Sequence, residues 1–139
     1  KGMKLVQVVK ANQTPDGVPQ TVYKLYKQIK KTPVMCKDAP GFIVNRVARH
    51  YYLEAMKLVE NGITTIEKVD ELMEAVGFKM GPFKLMDLIG NDVNLAVSQS
   101  LYDACDHAER FKPSALQMDK VATGELGKKT GKGFYSYNG

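Results

Sequence analysis

The spacing of hydrophobic positions changes near residue 38 of this chain. Residues 3–9 and 34–36 are short, β-branched apolar runs, which is typical of strands. Between them, apolar residues recur at helical spacing and lysines occupy the opposite face. These apolar positions are Val18, Val22, Leu25, Tyr26 and Ile29. We expect Pro33 to end this helix, so the opening predicts a strand–helix–strand unit of α/β type.

Beyond residue 38 the pattern is helical throughout. Helices are predicted over about residues 42–60, 66–76, 83–89, 93–106 and 114–123, with breaks at glycines and a break or kink over residues 90–92. A basic, glycine-rich segment and a short aromatic run, residues 134–137, follow. The predicted fold class is therefore mainly α: a helical bundle over residues 39–139, preceded by an α/β remnant over residues 1–38. Because two strands alone make a marginal sheet, we expect them to be the last pieces of a larger one.

Composition narrows the class of protein. With 44% hydrophobic and 25% charged residues the chain has enough apolar material for a core. Its apolar runs are shorter than the roughly 18 residues that cross a bilayer, and its start lacks the features of a signal peptide, so no membrane association is expected. Two cysteines without a CxxC pair and two histidines without HExxH spacing predict free thiols and no metal site. Such thiols fit a reducing compartment, either a bacterial cytoplasm or a mitochondrial matrix.

The net charge of +5 leaves two interpretations open. It describes either an ordinary solvated surface or a field that attracts a polyanion such as a nucleotide or CoA. The basic residues are not interleaved with aromatic ones in the manner of single-strand binders, so no nucleic-acid partner is expected.

Four segments in order resemble one family. Residues 37–46 (KDAPGFIVNR), 80–90 (MGPFKLMDLIG) and 126–135 (LGKKTGKGFY) are similar to segments of 3-hydroxyacyl-CoA dehydrogenases, among them the bacterial 3-hydroxybutyryl-CoA enzymes. Residues 3–9 resemble the last strand of that family's nucleotide-binding domain. The resemblance covers essentially the whole chain.

The resemblance implies an activity and a division of labour. The family oxidises (S)-3-hydroxyacyl-CoA to 3-ketoacyl-CoA in fatty-acid or related acyl-CoA metabolism, including β-oxidation, with NAD as cofactor. NAD lies mainly on an N-terminal Rossmann domain with a glycine-rich turn. This sequence contains no GxGxxG, and neither His50 nor His107 matches the family's catalytic histidine. We therefore expect a part of such an enzyme, inactive by itself, with an acyl-CoA substrate and a homodimer formed through the helical domain.

The resemblance assigns roles to three residues. Gln7 stands where the family usually has the glutamate that orients the catalytic histidine; an amide can hydrogen-bond there but cannot raise the histidine pKa by charge. Natural variation with retained activity, an inactivating change and a degenerate paralogue all remain open. Asn45 corresponds to an asparagine near the substrate carbonyl, where its carboxamide can donate a hydrogen bond. Lys129 corresponds to a lysine that contacts NAD.

Asp87 is interpreted as a pairing or capping residue within the helical domain.

A second class of function fits the same fold. A non-catalytic module for dimerisation or acyl-CoA binding would also explain the amide at Gln7.

Overall fold

The computed structural model describes residues 3–137, and their contacts form two compact units that divide between Arg46 and Val47. The elements are β1 (Leu5–Lys10), α1 (Val18–Gln28), β2 (Thr32–Lys37), α2 (Val44–Glu60), α3 (Ile66–Ala75), α4 (Pro82–Ile89), α5 (Asn91–Ala104) and α6 (Ala115–Ala122), with short 3-10 turns at Glu109–Phe111 and Lys128–Thr130. The predicted fold class is confirmed: the chain is mainly helical and begins with a strand–helix–strand unit. The domain boundary between residues 38 and 39 stays a prediction.

The first unit is built on a parallel pair of strands. β1 and β2 lie in register, with Val6 opposite Pro33 and Val8 opposite Met35. α1 connects them and begins after Gly17, whose φ of 88° is left-handed, with Pro19 in the first turn. Proline suits this place because its nitrogen would have no intrahelical acceptor there.

Pro33 does not end α1, which corrects the expectation from the sequence. The helix ends at Gln28, and Pro33 is buried inside β2. Thr32 N donates to Lys4 O, so the N–H of residue 32 faces β1. Because successive backbone nitrogens point to opposite edges of a strand, the nitrogen of Pro33 faces away from β1, where no donor is needed.

Two helix starts also differ from the prediction. α2 begins at Val44 and not at Phe42, because Gly41 and Phe42 have φ values of 70° and 47° and turn the chain through the left-handed region. The predicted break over residues 90–92 is confined to Gly90, with φ 104°, and α5 begins at once with Asn91. Gly62, one of the glycines expected to end a helix, is left-handed just beyond α2, with φ 67°.

The second unit packs its helices around an apolar core. Met56 on α2 and Phe83 and Met86 on α4 are fully buried, and burial of each side chain contributes about 1.5–3 kcal/mol. The other buried members of this cluster are Tyr52, Leu53, Ala55 and Val69. None of the helices in residues 3–137 is long and apolar enough to cross a bilayer.

A buried carboxylate fixes the end of the chain onto this core. Asp87, only 1% exposed, accepts hydrogen bonds from Phe134 N, Tyr135 N and the Tyr137 hydroxyl, each at 2.9 Å. The side-chain amide of Asn91 donates a fourth, also at 2.9 Å. Asp87 thus pairs with other residues of the helical unit, which agrees with the interpretation from the sequence.

We predict that Asp87→Ala lowers the free energy of unfolding by at least about 3 kcal/mol, because one buried and three partly buried donors lose their acceptor together. Urea denaturation followed by circular dichroism measures the change. The matched control is Asp103→Ala, an exposed aspartate of α5, expected to change stability by less than about 1 kcal/mol. A loss for Asp87→Ala no larger than the control's would contradict this account.

Candidate functional site

Gln7 reaches from β1 to the start of α2. Its side-chain oxygen accepts hydrogen bonds from Ile43 N and Val44 N, both at 3.0 Å. The first N–H groups of a helix have no intrahelical acceptor. Ile43, in the capping position, has an aliphatic side chain that cannot supply one. Gln7 is therefore a remote N-cap for α2, a role that the sequence analysis did not foresee.

Asn45 follows directly, in the first turn of α2. Its side chain is exposed and forms no hydrogen bond with the residues that the structure describes. The first unit therefore brings together the two residues to which the resemblance assigned catalytic roles: Gln7 holds the turn from which Asn45 projects. A free carboxamide at this place can donate to a carbonyl oxygen.

Lys129 lies in the second unit and is engaged by an acidic partner. Its ammonium contacts both carboxylate oxygens of Asp92, at 2.5 and 2.7 Å, and both side chains are partly exposed. The hydrogen bond from Lys129 is the main reason that the pKa of Asp92 lies below its ordinary value. Asp92 sits in the first turn of α5, where the helix dipole also favours a negative charge. The sequence analysis missed Asp92, although an acid in the first turn of a helix that follows a glycine is a recognisable signal.

The described residues can provide one contact to a dinucleotide, but they do not form a binding site for its pyrophosphate. Lys129 offers a half-exposed cation that could approach a phosphate or ribose oxygen. The turn from β1 to α1 is unsuited to a pyrophosphate, because Pro19 removes one of the N–H groups at the start of α1. In residues 3–137 no group of three or more His, Cys, Asp or Glu side chains could hold a metal ion.

Histidines take no part in these clusters. His50 is exposed on α2 and lies against the ring of Phe111, with centroids 5.2 Å apart. His107 is also exposed and packs edge-on against Tyr102. Neither histidine is brought near a residue of the candidate site within its own unit.

The fold defines a class: a parallel strand–helix–strand unit followed by a helical unit. Two family models match it. Residues 41–137 match the 3-hydroxyacyl-CoA dehydrogenase C-terminal domain, and residues 1–39 match the 3-hydroxyacyl-CoA dehydrogenase NAD binding domain. The chain belongs to the 3-hydroxyacyl-CoA dehydrogenase family.

Similar proteins come from bacteria and from mitochondria. The chain is 46% identical to the 3-hydroxyadipyl-CoA dehydrogenase of Escherichia coli (strain K12), over 97% of this chain and 29% of that protein. It is 40% identical to the mitochondrial hydroxyacyl-coenzyme A dehydrogenase of Sus scrofa, over 97% of this chain and 43% of the relative. Among solved structures, a 3-hydroxybutyryl-CoA dehydrogenase from Escherichia coli K12 matches with a TM-score of 0.93 and 45% identity, over 97% of this chain and 29% of that one. The chain thus spans less than half the length of each of these relatives.

We predict that Lys129→Met raises the pKa of Asp92 toward its ordinary value of 3.8. In the parent chain this ion pair stabilises the fold above that value and ceases to do so as the pH falls through the lowered pKa. An NMR titration of the side-chain carboxyls measures the shift.

The matched control is Lys132→Met, since Lys132 pairs with Glu125 at 2.5 Å. It should raise the pKa of Glu125, which Lys120 and Lys132 both lower, and leave that of Asp92 unchanged. An Asp92 pKa that responds equally to both substitutions would show that the local pair is not its cause.

Proposed function

We propose that this chain supplies one part of an NAD-dependent 3-hydroxyacyl-CoA dehydrogenase, which oxidises (S)-3-hydroxyacyl-CoA to 3-ketoacyl-CoA. The observation that carries the proposal is the junction of β1 and α2, where Gln7 holds the turn that presents the exposed Asn45. The proposal is also supported by the family and by the names of relatives, each of which acts on an acyl-CoA.

In this mechanism Asn45 acts on the oxygen of the substrate's C3. Its amide N–H donates to that oxygen and stabilises the negative charge that develops when the hydroxyl loses its proton. When bound, NAD would supply the acceptor for the hydride of C3. The proton is taken by a base outside these residues, because neither His50 nor His107 matches the family's catalytic histidine.

Gln7 contributes geometry and no charge. Both of its hydrogen bonds to α2 use the amide oxygen, so its NH₂ group is the one left for a neighbouring base. A carboxylate there would raise the pKa of an adjacent imidazolium, and a neutral amide cannot. We propose natural variation with retained activity as the interpretation of Gln7.

Lys129 is proposed as a secondary contact for NAD. Its ammonium is already held by Asp92, which fixes its direction and leaves it partly exposed. A cation held in this way can interact with a phosphate or ribose oxygen at little further entropic cost.

Assembly and location follow from the same proposal. α3 exposes Leu72 (65%) at a spacing of four from Val76 (71%), just beyond its end, with Phe78 (50%) nearby. An apolar surface of this kind suits a self-complementary interface, so we propose a homodimer through the helical unit.

We propose the bacterial cytoplasm as the compartment, and acyl-CoA degradation of the β-oxidation type as the metabolic process.

A non-catalytic module that binds acyl-CoA or dimerises is the second candidate. The neutral amide at Gln7 is the observation that favours it, since a binding module does not require a charged partner for a base. The two candidates differ in whether turnover appears once a dinucleotide-binding domain is supplied.

The test joins this chain to the N-terminal region of the Escherichia coli relative that precedes the matched segment. We predict NAD-dependent turnover of 3-hydroxybutyryl-CoA by the fused protein and none by this chain alone. In the fusion, Asn45→Ala should lower kcat about 100- to 1,000-fold, the usual effect of removing one donor to a developing oxyanion. Asn61→Ala, at an exposed asparagine after α2, is the control. Turnover by the chain alone, or an Asn45→Ala variant as active as the control, would contradict the proposal.

We predict that Gln7→Glu in the fused protein retains activity and moves the acidic limb of kcat/KM to higher pH, by about one unit or more. The oxidation needs a neutral base, and a new carboxylate raises the pKa of that base, so more alkaline conditions are required to deprotonate it. The measurement is a pH profile of kcat/KM for the parent fusion and the variant. Abolished activity, or a limb that moves to lower pH, contradicts the role given to Gln7.

A further inference from the structure

The entry to α2 lacks a local cap. The chain reaches this helix through Gly41 and Phe42, both left-handed, and a left-handed conformation is costly for a side chain as large as phenylalanine. Ile43 then occupies the capping position, where Ser, Thr, Asp or Asn would normally accept an N–H of the first turn. Backbone hydrogen bonds from Phe42 N to Ala39 O and from Arg46 N to Gly41 O shape this turn, but no side chain of the segment accepts the N–H of Ile43 or Val44.

Gln7 supplies what the local sequence lacks. One oxygen accepts two adjacent backbone N–H groups at 3.0 Å each, from a residue 36 and 37 positions earlier in the chain. Two bonds on one acceptor fix both the position and the rotation of the first turn relative to β1. A single bond would leave that rotation free.

Asn45 depends on this turn for its direction. Its carboxamide forms no hydrogen bond with residues 3–137 and its side chain is exposed. What limits where it points is the backbone of the first turn, together with the rotamers that a helix permits. Asn45 directly follows Ile43 and Val44 in the chain, so freeing these two residues frees Asn45 as well.

We propose that Gln7 is the positioning residue for Asn45: by accepting the N–H groups of Ile43 and Val44, it fixes the first turn of α2 and so aims the Asn45 carboxamide. This deepens the proposed function, in which Gln7 holds the turn and its NH₂ group is left for a base, and it rests on that function for the use made of Asn45. This positioning role requires a hydrogen-bond acceptor at residue 7 but not a charge, so a glutamate would position Asn45 equally well.

The experiment uses this chain without substrate or cofactor. Gln7→Met removes the acceptor at nearly constant size, and Gln7→Thr shortens the side chain, so that its hydroxyl oxygen no longer reaches α2, with a residue that favours a strand. In both variants the amides of Ile43 and Val44 should exchange with solvent about tenfold faster or more, the factor that corresponds to about 1.4 kcal/mol. The NMR order parameters of the Asn45 backbone and side-chain N–H groups should fall, the backbone value from about 0.85 toward 0.6.

Gln7→Glu should keep the amide exchange rates of Ile43 and Val44 and the order parameters of Asn45 at the values of the parent chain. A role of Gln7 in packing alone would not require this result. Gln13→Met, at an exposed glutamine of the β1–α1 connection, is the matched control and should change neither. Unchanged exchange at Ile43 and Val44 in Gln7→Met and Gln7→Thr overturns the cap. Faster exchange with an unchanged order parameter at Asn45 overturns the positioning role. Because no turnover is measured, these outcomes are independent of whether the fused protein oxidises a hydroxyacyl-CoA.

Discussion

Two buried carboxylates hold the helical unit together, and one tyrosine joins them. Asp87 accepts the N–H of Tyr135 at 2.9 Å, and Asp70 accepts the hydroxyl of the same residue at 2.9 Å. Asp70 also accepts Phe83 N and Lys84 N, at 2.9 and 3.0 Å, and so caps α4 from α3. Burial, followed by the hydrogen bond to Asp70, raises the pKa of Tyr135, which therefore stays a donor throughout the physiological range. Since each buried acceptor is matched by several donors, the cost of burying two charges is offset.

This arrangement explains the glycines of the recognisable motifs. A Cβ on Gly81 would overlap the Asp70 side chain, and one on Gly127 or Gly133 would overlap Asp87. In the segments around residues 80–90 and 126–135, Gly81 and Gly133 let the backbone approach a carboxylate closely, and Gly127 lets it approach the backbone of Asp87. Their likeness concerns packing, whereas the chemistry proposed for this chain lies at the junction of β1 and α2.

The sequence predicted most of the fold, because each helix carries its own period and its own glycine or proline boundary. It was wrong at Pro33 for a physical reason: a proline is allowed in a strand when its nitrogen faces away from the neighbouring strand, and no local pattern shows which way that nitrogen points. The bonds of Gln7 to Ile43 and Val44 were equally hidden, since they join residues far apart in sequence. Asp87 was interpreted as a pairing or capping residue, but the sequence did not show which donors it would accept, because all except Asn91 lie about 47 to 50 positions away. The roles of Asn45 and Lys129 came from resemblance, because an exposed amide or ammonium has no periodicity to identify it.

The charge and the hydrogen-bonding geometry of residue 7 can be separated at Gln7, and this separation bears on the proposed function. If residue 7 were a glutamate, its carboxylate could both accept the N–H groups of α2 and raise the pKa of a neighbouring base. The effect on the helix and the effect on the base could then not be distinguished. The amide divides them, because its oxygen faces the helix while its NH₂ group carries no charge to offer a base. An enzyme that works with Gln7 must therefore obtain its basicity elsewhere, while the direction of Asn45 still depends on β1. On this argument the constraint that this chain imposes on the reaction is the geometry of one helical turn.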